Sequence, residues 1–264
     1  EEDADAAQAA KLTGYYITTT MLASGVDQVR AALSQADDYN AVMVDVKSIF
    51  GSFYYSTAIS GAAKATVLDI KQVDQLIAEL TQQKGVTLIA RVPAFSDPEY
   101  ALKHQSQALP LYNGALWTDE HDCYWLNPYS NDVQGYLTSI ALELAGLGFD
   151  EVLFDNFYFP DSDRISWTGS VTKQEAILDA ADNLSANLLN QSIRLDLGTN
   201  DPEVAAYGAR AFITTNNASQ IEDDIAALSD VLPDTASQLV YLTDSRDTRF
   251  DACGALRPLL DETE

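Results

Sequence analysis

The sequence predicts a (β/α)8 TIM barrel of the α/β class, on the basis of three observations. Short β-rich runs alternate with amphipathic helical patterns along the chain, which is typical of a parallel α/β fold. Seven strand candidates fall within 264 residues, which fits a barrel better than a Rossmann sheet. No G-x-G-x-x-G motif follows the first strand, which argues against a dinucleotide-binding fold.

Most strand candidates are near-continuous apolar runs, as expected for parallel strands that are covered on both faces. In chain order they are 13–19, 41–47, 86–92, 151–157, 193–197, 211–215 and 239–243. Because an eighth is not evident, we expect residues 248–260 to supply an irregular last strand or to leave the barrel incomplete. Long insertions at 48–65 and 93–129 follow the second and third strands, where barrel enzymes build substrate-binding loops.

Apolar residues that recur at helical spacing predict four amphipathic helices between these strands. The stripes are Ile70, Val73, Leu76, Ile77 and Leu80; Val133, Tyr136, Leu137, Ile140 and Leu144; Ile177, Ala181, Leu184 and Leu188; and Ile221, Ile225 and Leu228. Thr172 and Glu175 have the spacing of a capping box at the start of the third helix. No Pro-, Gly- or Ser-rich linker divides the chain. We therefore expect a single barrel domain at 11–264, preceded by a flexible acidic tether at 1–10.

The composition indicates a folded but strongly acidic protein. Hydrophobic residues make up 47% of the chain, and 15 Lys and Arg against 40 Asp and Glu give a net charge of -25. This charge excludes the basic footprint that nucleic-acid binding needs, and it disfavours anionic membrane surfaces and polyanionic substrates. No apolar run of 18 or more residues is present to form a transmembrane segment.

Targeting and cysteine usage leave several alternatives open. The chain opens Glu-Glu-Asp-Ala-Asp with neither an initiator Met nor a signal-peptide core, which we interpret as a mature or trimmed form. Cys123 and Cys253 could form a disulfide in a secreted protein or remain free thiols, and the sequence favours neither alternative.

Acidic residues recur at the carboxyl ends of the predicted strands, where barrel enzymes place their active sites. The polar residues at these ends are Asp45, Lys47, Arg91, Asp155, Asn156, Asp196 and Asp244. Glycoside hydrolysis needs such carboxylates in pairs, because one protonates the leaving oxygen and the other attacks the anomeric carbon or activates water. Any single aspartate could equally cap a helix or pair with a basic residue. For the set, and for Asp155 in particular, we favour a catalytic function.

Other chemistries find no support in the sequence. His104 and His121 do not occur at a metal-ligand spacing, and neither a G-x-S-x-G elbow nor a Walker A loop is present. We therefore expect neither a metal nor a cofactor.

Aromatic residues in the predicted loops and strands suit a carbohydrate ligand, because an aromatic face can cover the apolar face of a sugar ring. The candidates for substrate binding are Tyr16, Trp117, Trp125 and Tyr158. We expect about half of the loop aromatics to pack beneath the loops instead.

Five segments in order resemble a glycoside-hydrolase domain family of bacterial exported proteins. They are GYYIT (14–18), NAVMVDVKSIFGSFYYS (40–56), IARVPAFSDPEYA (89–101), WLNPYSNDVQGYLTSIALELAGLGFDE (125–151) and GFDEVLFDNFYFP (148–160). Members of the family are regarded as barrels of the α-amylase-like superfamily with largely unassigned chemistry. Tyr158 replaces the family's Arg before Phe-Pro, and AFITTNN (211–217) replaces its later Pro-Met-x-Tyr-Pro motif.

The resemblance implies a role for several residues. Asp155 stands where amylase-like barrels carry their nucleophile after the fourth strand, and Asp45, Lys47 and Arg91 fall at binding or charge-tuning positions. Those enzymes use a Glu after the fifth strand as the acid, and the strand here ends in Asp196 with Glu203 nearby.

These observations lead to three hypotheses. The first is an exported, extracellular or cell-surface glycosidase of the retaining type, with Asp155 as nucleophile and Asp196 or Glu203 as acid/base. The second is a non-catalytic carbohydrate-binding barrel, and the third is a surface scaffold module.

Overall fold

The computed structural model describes residues 10–261, which form a closed barrel of eight parallel strands with helices alternating between them. The strands are β1 (Thr13–Ile17), β2 (Ala41–Asp45), β3 (Thr87–Pro93), β4 (Glu151–Asp155), β5 (Arg194–Gly198), β6 (Arg210–Thr214), β7 (Leu239–Leu242) and β8 (Gly254–Pro258). Each strand pairs with the next one along the chain, and β8 returns to pair with β1. The predicted TIM barrel is confirmed.

The eighth strand lies within residues 248–260, as expected, but it is regular and closes the barrel. β8 pairs with β7 through Gly254 opposite Val240, and with β1 through Ala255 opposite Thr13. Its sequence, GALRP, contains no β-branched residue. Pairing with two established neighbours therefore defines this strand, and intrinsic β-propensity does not.

The four predicted helices are present, and the described residues form five further ones. The helices are α1 (Thr19–Ser24), α2 (Val26–Gln35), α3 (Ile70–Leu80), α4 (Pro98–Lys103), α5 (Asn131–Leu147), α6 (Lys173–Leu188), α7 (Pro202–Ala205), α8 (Ile221–Leu228) and α9 (Thr235–Gln238). The predicted capping box is confirmed at the start of α6: Glu175 donates its backbone N–H to Thr172 Oγ1 at 3.1 Å, and Thr172 donates its own to Glu175 Oε2 at 2.8 Å.

The two long insertions are tied together at the barrel mouth by a buried ion pair. Lys47 Nζ lies 2.9 Å from Asp97 Oδ2, and both side chains are almost fully buried. The same carboxylate caps α4 by accepting the backbone N–H of Tyr100, and it also accepts the Tyr136 hydroxyl at 2.9 Å. This cluster fixes the walls that surround the mouth.

The barrel interior changes from apolar to charged along its axis. Met43, Ile89, Leu153 and Phe212 belong to the apolar cluster at its centre. Beyond them, at the amino-terminal ends of the strands, lies a buried charged cluster formed by Glu151, Arg194, Asp196 and Arg210. This cluster is at the end of the barrel opposite to Asp155, since Glu151 begins the strand that Asp155 ends.

Three further expectations concern the termini, the cysteines and the membrane. The predicted tether at 1–10 lies outside the described residues apart from Ala10. Cys123 and Cys253 are both buried and free, so they do not form a disulfide. Among residues 10–261, the helices are all too short or too polar to span a bilayer.

Candidate active site

Asp155 ends β4 at the barrel mouth, with its side chain 12% exposed. Its Oδ2 accepts hydrogen bonds from Arg91 Nε at 2.8 Å and Nη2 at 2.5 Å, and its Oδ1 accepts the backbone N–H of Asn156 at 2.8 Å. Asn156 has a φ of 53°, a left-handed conformation that Asn tolerates better than most residues. The carboxylate is therefore oriented by its neighbours before any substrate binds.

Gly198, the last residue of β5, leaves the space that the Asp155 side chain occupies. A Cβ atom at Gly198 would lie 2.3 Å from Asp155 Oδ1 and 2.8 Å from Asp155 Cα. Both separations are well below a normal contact distance. Only glycine therefore fits beside the carboxylate without moving it.

If Asp155 is the reacting group that the sequence predicts, Gly198→Ala is expected to lower kcat by at least about tenfold, because displacing such a group by ~1 Å can cost on the order of 10²-fold in rate. The backbone of β4 must also shift, so we expect a loss of about 1–3 kcal/mol in the free energy of unfolding. Kinetics and thermal unfolding should be measured beside Gly135→Ala, a control in α5 whose added Cβ meets no atom within 4 Å. A wild-type kcat in Gly198→Ala would contradict the conclusion that only glycine at this position leaves the Asp155 carboxylate in place.

Asp45, the last residue of β2, shares the Arg91 guanidinium with Asp155. Arg91 Nη1 lies 3.6 Å from Asp45 Oδ1, whereas Nη2 lies 2.5 Å from Asp155 Oδ2. Burial alone would lower the pKa of Arg91, but the two carboxylates outweigh it and raise that pKa. Arg91 is therefore a permanent cation that holds two carboxylates on either side of it.

Two cavities open at the mouth, one on each side of Asp155. The first, which we call the β5 cavity, has a volume of about 600 Å³, and its lining includes Tyr158, Lys173, Gly198, Asp201, Phe212 and Thr214. The second, the β2 cavity, has a volume of about 520 Å³, and its lining includes Thr19, Asp45, Ser48, Phe50, Val67 and Arg91. Asp155 and Asn156 line both cavities.

Most of the residues predicted for substrate binding lie at these cavities. Asp45, Lys47 and Arg91 line the β2 cavity, and Tyr158 lines the β5 cavity with 48% of its surface exposed. Tyr16 is half-buried and lies close enough to Arg91 to raise the pKa of the guanidinium. Lys47 forms an ion pair with Asp97, so its charge is already neutralised inside the protein.

Trp117, Trp125 and Asp244 lie outside both cavities. The two tryptophans are 8% and 3% exposed, so the expectation that they form an open sugar-binding surface is not met. Their rings pack edge-on against each other at 6.0 Å, and Trp125 lies 5.1 Å from the ring of Tyr158. Asp244 is exposed after β7, where its backbone N–H contacts Asn216.

Neither predicted acid/base residue lines a cavity at the mouth. Asp196 is in the middle of β5, is fully buried and belongs to the charged cluster at the opposite end of the barrel. A side chain without exposed surface cannot reach a glycosidic oxygen. Glu203 is exposed on the first turn of α7, where it accepts Gln174 Nε2 at 3.1 Å, and it lines neither cavity.

Sequence reasoning missed Phe50, Asp201 and Lys173 as cavity residues. The run Asp201-Pro202-Glu203 is a recognisable helix start, and Asp201 does cap α7 by accepting the N–H of Glu203. That signal could have placed Asp201 at the mouth after β5. Nothing in the sequence distinguishes Phe50 from other aromatics in the insertions.

Comparison with known proteins gives one family and many similar folds. The model of the family described as "Putative glycosyl hydrolase domain" matches residues 14–242. No curated protein matches the chain. A hypothetical protein from Ruminiclostridium thermocellum is 28% identical over 69% of this chain and 96% of that one, with a TM-score of 0.59.

Two further solved structures share the fold at lower identity. Ega3 from Aspergillus fumigatus, solved in complex with galactosamine, is 14% identical over 89% of this chain and 78% of that one, with a TM-score of 0.54. The glycoside hydrolase domain of a PelA variant from Pseudomonas aeruginosa is also 14% identical, over 89% of this chain and 83% of that one, with a TM-score of 0.53.

Proposed function

Because the chain belongs to this glycosyl hydrolase domain family, we propose that it hydrolyses glycosidic bonds of a poly- or oligosaccharide at the barrel mouth, with Asp155 as nucleophile. The observation that carries the proposal is the position of Asp155. Its carboxylate is held by Arg91 and by the N–H of Asn156 and lines both cavities at once. A bound glycan would therefore bring an anomeric carbon over a pre-oriented carboxylate.

The second carboxylate of the proposed pair is Asp45, in place of Asp196 or Glu203. Asp45 lines the β2 cavity and approaches the same guanidinium as Asp155. Arg91 makes two short hydrogen bonds to Asp155 and a longer contact to Asp45, so the guanidinium is directed mainly at Asp155. This difference supports Asp155 as the attacking group and Asp45 as the proton donor.

The proposed reaction follows the two-step course of a retaining glycosidase. Asp155 attacks the anomeric carbon as the glycosidic C–O bond breaks, and Asp45, which enters this step in its protonated form, gives its proton to the departing oxygen. Asp45 then takes a proton from water, whose oxygen attacks the same carbon and releases Asp155. Arg91 balances the changing charge of the pair through both steps.

The proposed substrate is a neutral or cationic glycan, and the proposed site of action is extracellular or at the cell surface. The net charge of -25 disfavours the approach of a polyanion. The resemblance to exported proteins supports the location.

The test is a hydrolysis screen of the wild-type protein against a panel of poly- and oligosaccharides, with new reducing ends detected by mass spectrometry. We expect at least one glycan to be cleaved, and Asp155→Asn, run in parallel, to leave it intact. Glycan binding without any cleavage would instead establish the second hypothesis, a non-catalytic carbohydrate-binding barrel. That hypothesis is favoured by one observation: neither Asp196 nor Glu203 lines either cavity.

A further inference from the structure

The two cavities at the mouth lie next to each other, on opposite sides of Asp155. Asp155 and Asn156 form a wall common to both, and the volumes of about 600 and 520 Å³ are within the range of ordinary ligand sites. An enzyme that removes one terminal sugar needs a cavity that is closed just beyond the sugar ring being released. Here the carboxylate lies between two spaces of similar size.

Each cavity also carries one exposed aromatic side chain. Phe50 is 58% exposed in the β2 cavity, and Tyr158 is 48% exposed in the β5 cavity. The Tyr158 ring is supported from behind by Trp125 at 5.1 Å, whose indole N–H is fixed by Asp119 Oδ2 at 2.8 Å. An aromatic side chain is thus available to a ligand on each side of Asp155.

The polar lining suits sugar hydroxyls on both sides. Thr19 and Ser48 contribute hydroxyl groups to the β2 cavity, and Thr199, Asn200 and Thr214 contribute hydroxyl and amide groups to the β5 cavity. The cations of the β2 cavity are neutralised internally, since Lys47 pairs with Asp97 and Arg91 with two carboxylates. Apart from Asp155 and the charged residues Asp161, Lys173 and Asp201 of the β5 cavity, the lining therefore offers neutral hydrogen-bonding groups and aromatic faces, which suit a carbohydrate.

From this arrangement we infer that a glycan chain lies across Asp155, with sugar units in both cavities, and that the protein cleaves internal bonds of that chain. The inference rests on the proposed function for the cleavage step, but the binding of a chain across Asp155 does not require catalysis. Phe50 and Tyr158 are then the residues that recognise sugar units on opposite sides of the scissile bond.

The experiment uses maltohexaose, cellohexaose, xylohexaose and chitohexaose, each labelled at its reducing end. With the hexasaccharide that is cleaved, we expect the first products to be di-, tri- and tetrasaccharides. Exclusive early release of monosaccharides from one end would overturn the inference and leave the proposed function intact.

Variants of the two aromatic residues test the two sides separately. We expect Phe50→Ala and Tyr158→Ala each to raise KM for the hexasaccharide roughly tenfold, which corresponds to the loss of an aromatic contact of about 1.4 kcal/mol. An aryl monoglycoside fills one side less completely, so we expect its KM to respond to only one of the two variants. Tyr112→Ala is the matched control, because Tyr112 is 77% exposed but lines neither cavity.

Affinity measurements on Asp155→Asn separate this inference from the proposed function. The hexasaccharide should bind at least tenfold more tightly than the corresponding monosaccharide, and the added Phe50→Ala or Tyr158→Ala change should each remove most of that gain. If no hexasaccharide is cleaved but both aromatic changes still weaken binding, the proposed function fails and the chain-binding inference stands. Equal affinity for monosaccharide and hexasaccharide, or no binding to any of the four, would overturn the inference.

Discussion

Replacing Asp155 by asparagine is expected to lower kcat on a cleaved glycan by at least about 10³-fold, because the amide cannot attack the anomeric carbon. Glycan affinity should change much less, since the shape of the side chain is kept. Both carboxylate oxygens accept hydrogen bonds, so the amide N–H2 of the variant must face either Arg91 or the N–H of Asn156. We therefore expect a loss of about 1–3 kcal/mol in stability as well. Circular dichroism and thermal unfolding must accompany the kinetics.

Chemical rescue separates the roles of Asp155 and Asp45. Azide added to Asp155→Gly can take the place of the missing nucleophile, forming a glycosyl azide as the leaving group departs. Asp45→Asn should slow cleavage of the glycan by about 10²–10⁴-fold, the usual contribution of a general acid. It should have a far smaller effect on a dinitrophenyl glycoside, whose leaving group needs no proton.

Two results would contradict these assignments. Unchanged turnover by Asp155→Asn would exclude Asp155 as nucleophile. Equal losses of Asp45→Asn on the glycan and on the dinitrophenyl glycoside would exclude Asp45 as the proton donor. Asp201→Asn is the informative comparison in that case, because Asp201 is a further carboxylate that lines the β5 cavity.

Asp155 could be located from the sequence because a strongly apolar strand ends at it. EVLFD is a buried run closed by one carboxylate, and the carboxyl end of a barrel strand is where a polar side chain reaches the mouth. Asp196 looks similar in IRLDL, but the strand continues to Gly198. Asp196 and Gly198 face the same side of β5 at different depths in the barrel. The sequence does not show which of these two positions reaches the mouth.

The burial of the two tryptophans and the need for glycine at position 198 could not be predicted from the sequence, for a different reason. Trp117 and Trp125 are buried because the insertion after β3 folds onto its own aromatic residues, which depends on contacts between distant segments. Glycine is required at position 198 because a Cβ atom there would lie 2.3 Å from Oδ1 of Asp155 in the neighbouring strand. Local periodicity carries no information about such contacts, whereas it is sufficient to predict four of the nine helices in the described residues and seven of the strands.

The buried charged cluster, by contrast, determines how the stability of the fold depends on pH. Burial, together with the neighbouring Glu151 charge, raises the pKa of Asp196 well above its usual value. Burial also opposes ionisation of Glu151, but Arg210, a hydrogen bond with Asp196 and Arg194 outweigh it and lower the pKa of Glu151. Within the described residues, no N–H donor reaches either carboxylate oxygen of Asp196. Protonated Asp196 can donate to Glu151, whereas a second anion there would be repelled.

Asp196→Asn and Glu151→Gln are therefore expected to change stability in opposite directions, although both replace a buried carboxyl group by its amide. A raised native pKa means that wild-type stability is full below the unfolded value of about 3.9 and falls as pH rises toward the native pKa, by at most about 1.4 kcal/mol per pH unit. Asp196→Asn removes this loss, so it should match wild type near pH 4 and exceed it at pH 7. Glu151→Gln leaves Arg210, 1% exposed, without its counter-charge and should cost about 3–5 kcal/mol at pH 7. Denaturant unfolding of the three proteins between pH 4 and pH 7 measures both effects, and a destabilised Asp196→Asn at pH 7 would show that Asp196 is ionised in the native barrel.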